Sequence, residues 1–225
     1  IMRTHTKIAF ILSGLLSIPP LFALSYQVEA IIFSQQTEQK SAFESWPALT
    51  PADKNLLMTN VQPTKDLPDP IFHLNNQINR LQKYPEYKVL YHNAWKVTDK
   101  AFKDPVLLSI QGGAMLTSAG KFADTTNTMP AYWQVKGLIQ IKRGHFFDVQ
   151  THLIFAEPQK TLASNPDESQ ALNLSNQLAF FQLKQKRRMR SNELNYFDHP
   201  RYGLLLEIIR EKAPARAPET TPPLL

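Results

Sequence analysis

Four basic residues occupy alternate positions near the C-terminal end of the chain: Lys184, Lys186, Arg188 and Arg190. In a β-strand, successive side chains point to opposite faces, so these four would share one face at a spacing of about 6.6 Å. The opposite face would carry Phe181, Leu183 and Met189, interrupted by Gln185 and Arg187. A row of cations is costly unless water or an anion lies against it. The pattern therefore indicates either an anion-binding face or a solvated strand whose charges only protect a sheet edge from aggregation.

The basic row is followed by a dense polar corner with the sequence NELNYFDHP. One interpretation makes Glu193 and Asp198 a carboxylate pair for the hydrolysis of a sugar chain, with His199 assisting. The interpretation that we favour is structural: Asp198 accepts backbone N–H groups in a turn, and Glu193 pairs with Arg188 or Arg190. The corner would then be rigid and would partly neutralise the cations. No catalytic residue is predicted.

The remaining composition excludes several kinds of chemistry. The chain has no cysteine, which removes thiolate catalysis, disulfides and cysteine zinc sites. None of the six histidines lies in a metal-binding motif, and the nucleophile-elbow, Walker and dinucleotide-binding motifs are missing. We therefore expect no metal and no cofactor. The formal net charge of +6 over 225 residues is a modest excess, which permits an acidic partner but does not indicate nucleic acid.

The first 25 residues have the pattern of a secretory signal peptide. Arg3 and Lys7 form a basic start, and the chain from 8 to 24 is uncharged. Small residues precede a cut between Ser25 and Tyr26. The alternative is a permanent membrane anchor, although the uncharged stretch is short and contains two prolines. Either interpretation predicts export, and cleavage would leave no stable membrane span.

The elements that must position the basic row are predicted by periodicity. Apolar residues alternate with polar ones over 26–35 and 88–98, which indicates two strands, and 106–110 is a short third strand. The clearest hairpin spans 131–156, with one apolar and one polar face. The segment 178–210 would be two strands joined at the polar corner.

Two helices are predicted, each from a capping residue followed by proline at the first helical position. The shorter one covers 51–59 and the main one 69–84, with a single apolar stripe that would pack on the sheet. The prediction is therefore an α+β fold, a single mostly antiparallel β-sheet of about five to seven strands with one main helix on one face. The segment 114–130 should be a loop, 157–177 a linker, and the proline-rich tail 211–225 disordered.

The corner also carries a resemblance to a known family. The residues Arg187-Arg188-Met189-Arg190-Ser191, then Glu193-Leu194 and Tyr196-Phe197-Asp198-His199-Pro200 with Gly203 following, resemble the C-terminal signature of the CsiV family. Weaker matches lie at 26–33, 92–95 and 137–143, so the resemblance spans 26–210. It implies a periplasmic, peptidoglycan-binding protein of Gram-negative bacteria. Such a protein would be a helper, and not an enzyme, acting with an LpoA-type outer-membrane lipoprotein on a class A penicillin-binding protein.

The binding residues are predicted from their chemistry, as partners of stem-peptide carboxylates or of an acidic protein surface. They are Lys184, Lys186, Arg187, Arg188, Arg190, Tyr196 and Tyr202, and Tyr132 is a further aromatic candidate for stacking on sugar rings. Two other functions stay open. One is a periplasmic protein–protein adaptor without glycan binding, and the other is a wall hydrolase.

Overall fold

The computed structural model describes residues 24–36, 47–59, 71–117, 131–158 and 178–211. Within these ranges the chain forms eight β-strands: β1 Ser25–Gln35, β2 Tyr87–Thr98, β3 Val106–Thr117, β4 Ala131–Arg143, β5 Phe147–Pro158, β6 Leu178–Met189, β7 Asn195–His199 and β8 Tyr202–Arg210. It also forms two short α-helices, α1 Pro51–Met58 and α2 Asn75–Leu81, and a 3₁₀-helix over Asp99–Lys103.

The strands form two four-stranded antiparallel sheets, and the prediction of a single sheet with one main helix is wrong. Sheet A has the order β2-β1-β8-β7, and sheet B has the order β3-β4-β5-β6. Alternating patterns show which side chains share a face of a strand, but they do not show which strands pair. A single sheet would place the hairpin β4–β5 in the same sheet as β1, whereas the hairpin pairs with β3 and β6.

The two sheets enclose a common apolar core between their inner faces. In sheet A, the inner residues Val28 and Ile32 of β1 are fully buried. The edge of the Tyr26 ring meets the Phe147 ring of sheet B at 5.3 Å between centroids. At the other end of the core, Tyr202 of sheet A packs 4.9 Å from Phe155 of sheet B. Burial of this apolar area is the main stabilising term for the fold.

The edges of the two sheets also approach each other. On one side, Gly112 of β3 lies against β2 so closely that an added Cβ atom would be 2.8 Å from Tyr91 Cδ2. On the other side, the side chains of Gln185 and Arg187 in β6 donate hydrogen bonds to backbone carbonyls of β7. These contacts cover part of each sheet edge, which reduces its capacity to pair with another chain.

The short helix α1 confirms the prediction for 51–59. Thr50 is its N-cap, and Thr50 and Asp53 form a reciprocal capping box. The predicted main helix is shorter than expected, since α2 covers only Asn75–Leu81 and is followed by turns before Pro85. Its start at 69–70 lies outside the described residues. Among the described residues, no helix has both the length and the apolar character needed to cross a membrane.

The helix α2 covers the outer face of sheet A. Leu74, at the start of the helix, is buried against Ile31 and Phe33. The buried carboxylate of Glu29 accepts hydrogen bonds from the backbone N–H groups of His73 and Leu74, at 2.8 and 3.0 Å. These bonds satisfy the N–H groups of the N-cap residue Leu74 and of the residue before it, directly ahead of the first helical turn.

Several other predictions are tested by the strand bounds. The strands at 26–35 and 88–98 and the hairpin at 131–156 are confirmed. The strand β3 extends beyond the predicted 106–110 to Thr117, through an irregularity in which Gly113 has φ 76°. The segment 178–210 contains three strands instead of two, because the corner itself forms β7. The signal peptide up to residue 23, residues 118–130 of the predicted loop, 159–177 of the linker and 212–225 of the tail lie outside the described residues.

Candidate functional site

The structure places three of the four basic residues of the row on the outer face of sheet B. In β6, Lys184, Lys186 and Arg188 lie opposite His152, Gln150 and Asp148 of β5. Arg190 follows the last residue of the strand. The period of two in β6 therefore correctly predicted that Lys184, Lys186 and Arg188 share a face. It does not apply to Arg190, which lies beyond the end of the strand.

Lys184 does not face solvent freely, because α1 lies over it. Its Nζ atom is 2.7 Å from Oδ1 of Asp53, which is also 2.7 Å from Nε2 of His152. The other carboxylate oxygen accepts hydrogen bonds from Thr50, from Oγ1 at 2.6 Å and from the backbone N–H at 2.8 Å. Burial of Asp53 raises its pKa, but the Lys184 ammonium and the Thr50 and His152 hydrogen bonds outweigh it. The net pKa of Asp53 lies well below its usual value.

The C-terminal end of α1 is held by a second lysine that the sequence did not single out. Nζ of Lys136 in β4 donates hydrogen bonds to the backbone carbonyls of Leu57 and Thr59, both at 2.8 Å. A cation at this end of a helix compensates the partial negative charge of its unpaired carbonyl groups. Burial lowers the pKa of Lys136. The alternation of β4 predicted a polar face here, but could not show that α1 covers it.

Beyond α1, the outer face of sheet B carries exposed cations. We call this surface the cationic face and define it by Lys142, Lys186, Arg188 and Arg190. Neither Lys142 nor Lys186 has an ion pair within the part of the chain that the structure describes. The guanidinium groups of Arg188 and Arg190 each lie 5.6 Å from the centroid of the Phe146 ring.

The acids near the cationic face neutralise it only weakly. Arg188 Nε lies 3.5 Å from Asp148 Oδ1, and Arg190 lies 3.8 Å from Glu193 Oε1. The two arginine side chains remain 67% and 69% exposed. Exposed pairs of this kind contribute about 0–1 kcal/mol each, so an anion could replace either acid at low cost.

Arg187 lies on the inner side of β6, as the alternation predicted. Its guanidinium donates a hydrogen bond to the Tyr196 carbonyl at 2.7 Å and lies 4.9 Å from the centroid of the Phe197 ring. The neighbouring Gln185 donates to the Asp198 carbonyl at 2.9 Å. Both side chains tie β6 to β7, which gives Arg187 a structural contact in addition to its predicted part in binding.

The polar corner keeps one predicted contact, since Glu193 lies 3.8 Å from Arg190, whereas the contact of Asp198 differs from the predicted one. The hydroxyl of Tyr196 donates a hydrogen bond to Asp198 Oδ1 at 2.7 Å and accepts one from Gln35 Nε2 at 2.7 Å. Asp198 thus accepts a hydrogen bond from a phenol in place of the predicted backbone N–H groups. Burial and the adjacent Asp198 raise the pKa of Tyr196, because both disfavour a phenolate. With Glu193 near Arg190, the two acids have separate partners.

His199 and Tyr202 lie inside the molecule. Nδ1 of His199 accepts a hydrogen bond from the backbone N–H of Arg201 at 3.1 Å. Burial lowers the pKa of His199 to about 4. Tyr202 is fully buried, and its hydroxyl donates to the Leu153 carbonyl at 3.2 Å. The expectation that Tyr202 is an exposed ring for a sugar is therefore corrected, since it fills the core between the sheets. Tyr132 is half-buried and packs edge-on against Phe180.

The comparison with protein families decides the identity. A family model described as "Peptidoglycan-binding protein, CsiV" matches residues 6–211. The chain belongs to the CsiV family. This confirms the resemblance that the corner carries. A search of the curated proteins finds no match to the chain.

The CsiV signature has a clear structural role in this chain. Its residues 187–203 form the end of β6, the short strand β7 and the start of β8, where the edges of the two sheets meet. The name of the CsiV family is that of a binding protein, and peptidoglycan indicates a location in the periplasm or at the cell wall. Among the described residues, no group of three or more histidines and acids could hold a metal ion.

Proposed function

We propose that this CsiV protein is a non-enzymatic periplasmic protein that binds peptidoglycan through its cationic face and supports cell-wall synthesis. The observation that carries the proposal is the exposure of Lys186, Arg188 and Arg190 beside the Phe146 ring. Peptidoglycan offers carboxylates on its stem peptides. The planar guanidinium group can donate two parallel hydrogen bonds to a carboxylate, which suits arginine for this contact.

Two features of the cationic face favour anion binding over simple protection of an edge. The first is its position. The edge strand β6 of sheet B already contacts β7, so the charges are not needed to protect that edge. The second is Phe146, which lies close to both arginines and restricts their rotamers, so that less side-chain entropy is lost when an anion binds.

The proposed role is that of an accessory to a class A penicillin-binding protein, reached through an LpoA-type outer-membrane lipoprotein. This role is supported by the family resemblance and by the cationic face, which is complementary to an acidic protein surface. The absence of an enzyme activity is proposed because Glu193 and Asp198 lie beside an arginine and a tyrosine hydroxyl, and not together in a cleft as hydrolysis requires.

Co-sedimentation with purified sacculi tests the proposal. We expect the mature protein, residues 26–225, to sediment with sacculi, and the double variant Lys186→Glu/Arg188→Glu to sediment much less. Because the cations are exposed, binding should also weaken as ionic strength rises. The matched control is Lys88→Glu/Lys103→Glu, which changes the net charge equally at two exposed lysines outside the cationic face.

The outcomes separate the alternatives. Equal sedimentation of the folded cationic-face variant and the wild type would refute the electrostatic part of the proposal. Binding to an LpoA-type lipoprotein without any binding to sacculi would instead identify a protein–protein adaptor. Release of soluble fragments from sacculi would identify a hydrolase.

A further inference from the structure

A second surface of the molecule lies on the outer face of sheet A, on the other side of the core from the cationic face. Here α2, the turns after it and the strands β1, β2, β7 and β8 line an open cleft of about 320 Å³. We call it the aromatic cleft. Its lining includes Phe33, Arg80, Tyr84, Tyr87, Tyr196 and Leu205. The volume is at the lower end of the range of about 300–1,000 Å³ for small-molecule sites.

The rings of the aromatic cleft are held by one another. Tyr196 stacks on Phe33 with 6.1 Å between centroids and 11° between ring planes. Tyr87 meets Phe33 edge-on at 5.6 Å, and Tyr84 meets Tyr87 edge-on at 6.4 Å. Gly203 lies opposite Phe33 in β8, and an added Cβ atom would be 2.6 Å from both Phe33 and Tyr196. The missing side chain at 203 thus makes room for the stack.

Two of these rings remain open to a ligand. Tyr84 is 55% exposed and Tyr196 is 37% exposed, although large aromatic side chains are usually well buried. The hydroxyl of Tyr196 lies between Gln35 and Asp198 and is hydrogen-bonded to both, which favours the orientation in which its ring lines the cleft. Rings that are already held in place lose little entropy when a ligand binds. This favours the binding of a weakly polar ligand.

The polar groups of the aromatic cleft are donors and neutral groups. Arg80 has no ion pair within the described residues and offers five N–H donors. Gln35 adds an amide beside Tyr196. No carboxylate is among the described residues that line the cleft. This chemistry suits a ligand that is rich in oxygen acceptors, carries no positive charge and has apolar C–H faces.

We propose that the aromatic cleft binds the pyranose ring of an N-acetylated amino sugar in the glycan chain. One C–H face of the sugar lies against the rings of Tyr84 and Tyr196, and Arg80 donates to the acetamido oxygen or a ring hydroxyl. This rests on the proposed function, since the glycan chain is the other component of peptidoglycan besides the stem peptides. The two outer faces of the sandwich then divide the ligand, with carboxylates bound by sheet B and sugar by sheet A.

The test uses tetra-N-acetylchitotetraose, a neutral oligosaccharide of N-acetylglucosamine that carries no stem peptide. We expect the mature protein to bind it, as measured by calorimetry or by NMR shifts of the cleft residues. Tyr84→Ala should weaken binding about five- to tenfold, and Arg80→Ala should weaken it independently. Tyr84→Phe keeps the ring and should bind the oligosaccharide almost as tightly as the wild type. The control Met58→Ala removes an exposed apolar side chain of α1, a helix that packs on sheet B and not on sheet A.

The results distinguish failure of the cleft from failure of the proposed function. Binding to sacculi without binding to the oligosaccharide would overturn the aromatic cleft and leave peptidoglycan binding intact. Oligosaccharide binding that neither Tyr84→Ala nor Arg80→Ala reduces would place the sugar elsewhere and also overturn it. Absence of binding to both ligands would refute the proposed function as well.

Discussion

Nζ of Lys184 lies 2.7 Å from Oδ1 of Asp53, a fully buried carboxylate that fixes α1 to the outer face of sheet B. One cation of the basic row is thereby used to hold a helix, and the others are left for solvent or a ligand. The same carboxylate caps its own helix through Thr50. Because Asp53 joins the helix cap to β5 and β6, its loss should loosen the whole of α1.

The variant Asp53→Asn tests this role. We expect it to lower the free energy of unfolding by about 3 kcal/mol, because removing one partner of a buried pair leaves the other poorly compensated. This value lies at the lower end of the range of about 3–5 kcal/mol for breaking a buried ion pair, since Lys184 and His152 stay partly solvated. Urea unfolding at neutral pH measures it. The control Asp148→Asn breaks an exposed pair and should cost less than about 1 kcal/mol.

Gly203 should be intolerant of even a methyl group. Gly203→Ala would place a Cβ atom 2.6 Å from Phe33 and from Tyr196, and neither ring can move without breaking the stack. We expect a loss of about 1–3 kcal/mol in unfolding free energy, together with weaker oligosaccharide binding. Gly144 is the matched control, because its added Cβ would be 3.9 Å from the nearest atom, the Phe146 carbonyl oxygen. A stable Gly203→Ala variant with intact binding would contradict the tight fit.

His199 should make stability depend on pH in a defined window. Burial and the neighbouring Arg201 lower the pKa of His199 to about 4, whereas Asp198 opposes the shift. The unfolded chain takes up a proton near pH 6.5 and the folded chain only near pH 4, so stability is lost as the pH falls between these values. The loss from this group should approach about 3 kcal/mol at pH 4. Above pH 7 both states are neutral at this position, and the group adds no pH dependence.

Thermal or urea unfolding of wild type and His199→Asn across pH 4–8 measures this contribution. Asparagine can still accept the Arg201 N–H bond but does not titrate. We expect the variant to be less stable at pH 7 and to have a flatter profile between pH 6.5 and 4. If both proteins lose stability in parallel over that window, His199 is not the responsible group.

The sequence predicted strands and faces better than it predicted their assembly. Alternation in β6 correctly separated Lys186 from Arg187, because side chains of a strand must point to opposite faces. It could not show that Asp53, distant in sequence, neutralises Lys184. Nor could it show that Tyr196 belongs to sheet A and faces away from the basic row. Both facts depend on pairings between strands and on helix packing, which local periodicity does not contain.

The assignment of Tyr202 failed for a related reason. Its predicted part in stacking on a sugar requires an exposed ring, but in β8 position 202 shares the inner face with Leu204 and Leu206. The period of two along β8 already gave this signal.

Phe146 allows the charge of the cationic face to be separated from its arrangement. Its ring lies 5.6 Å from the guanidinium groups of both Arg188 and Arg190. Phe146→Leu keeps every charge and much of the apolar volume but removes the aromatic face. If the ring preorganises the arginines, binding to sacculi should weaken about three- to tenfold, the range expected for one or two exposed cation–π contacts. The salt dependence should stay unchanged, because the number of cations is the same. Ile71→Ala, at an exposed apolar residue beside sheet A, serves as the control. Wild-type affinity in Phe146→Leu would mean that the cations act through charge alone and that the ring contributes nothing to recognition.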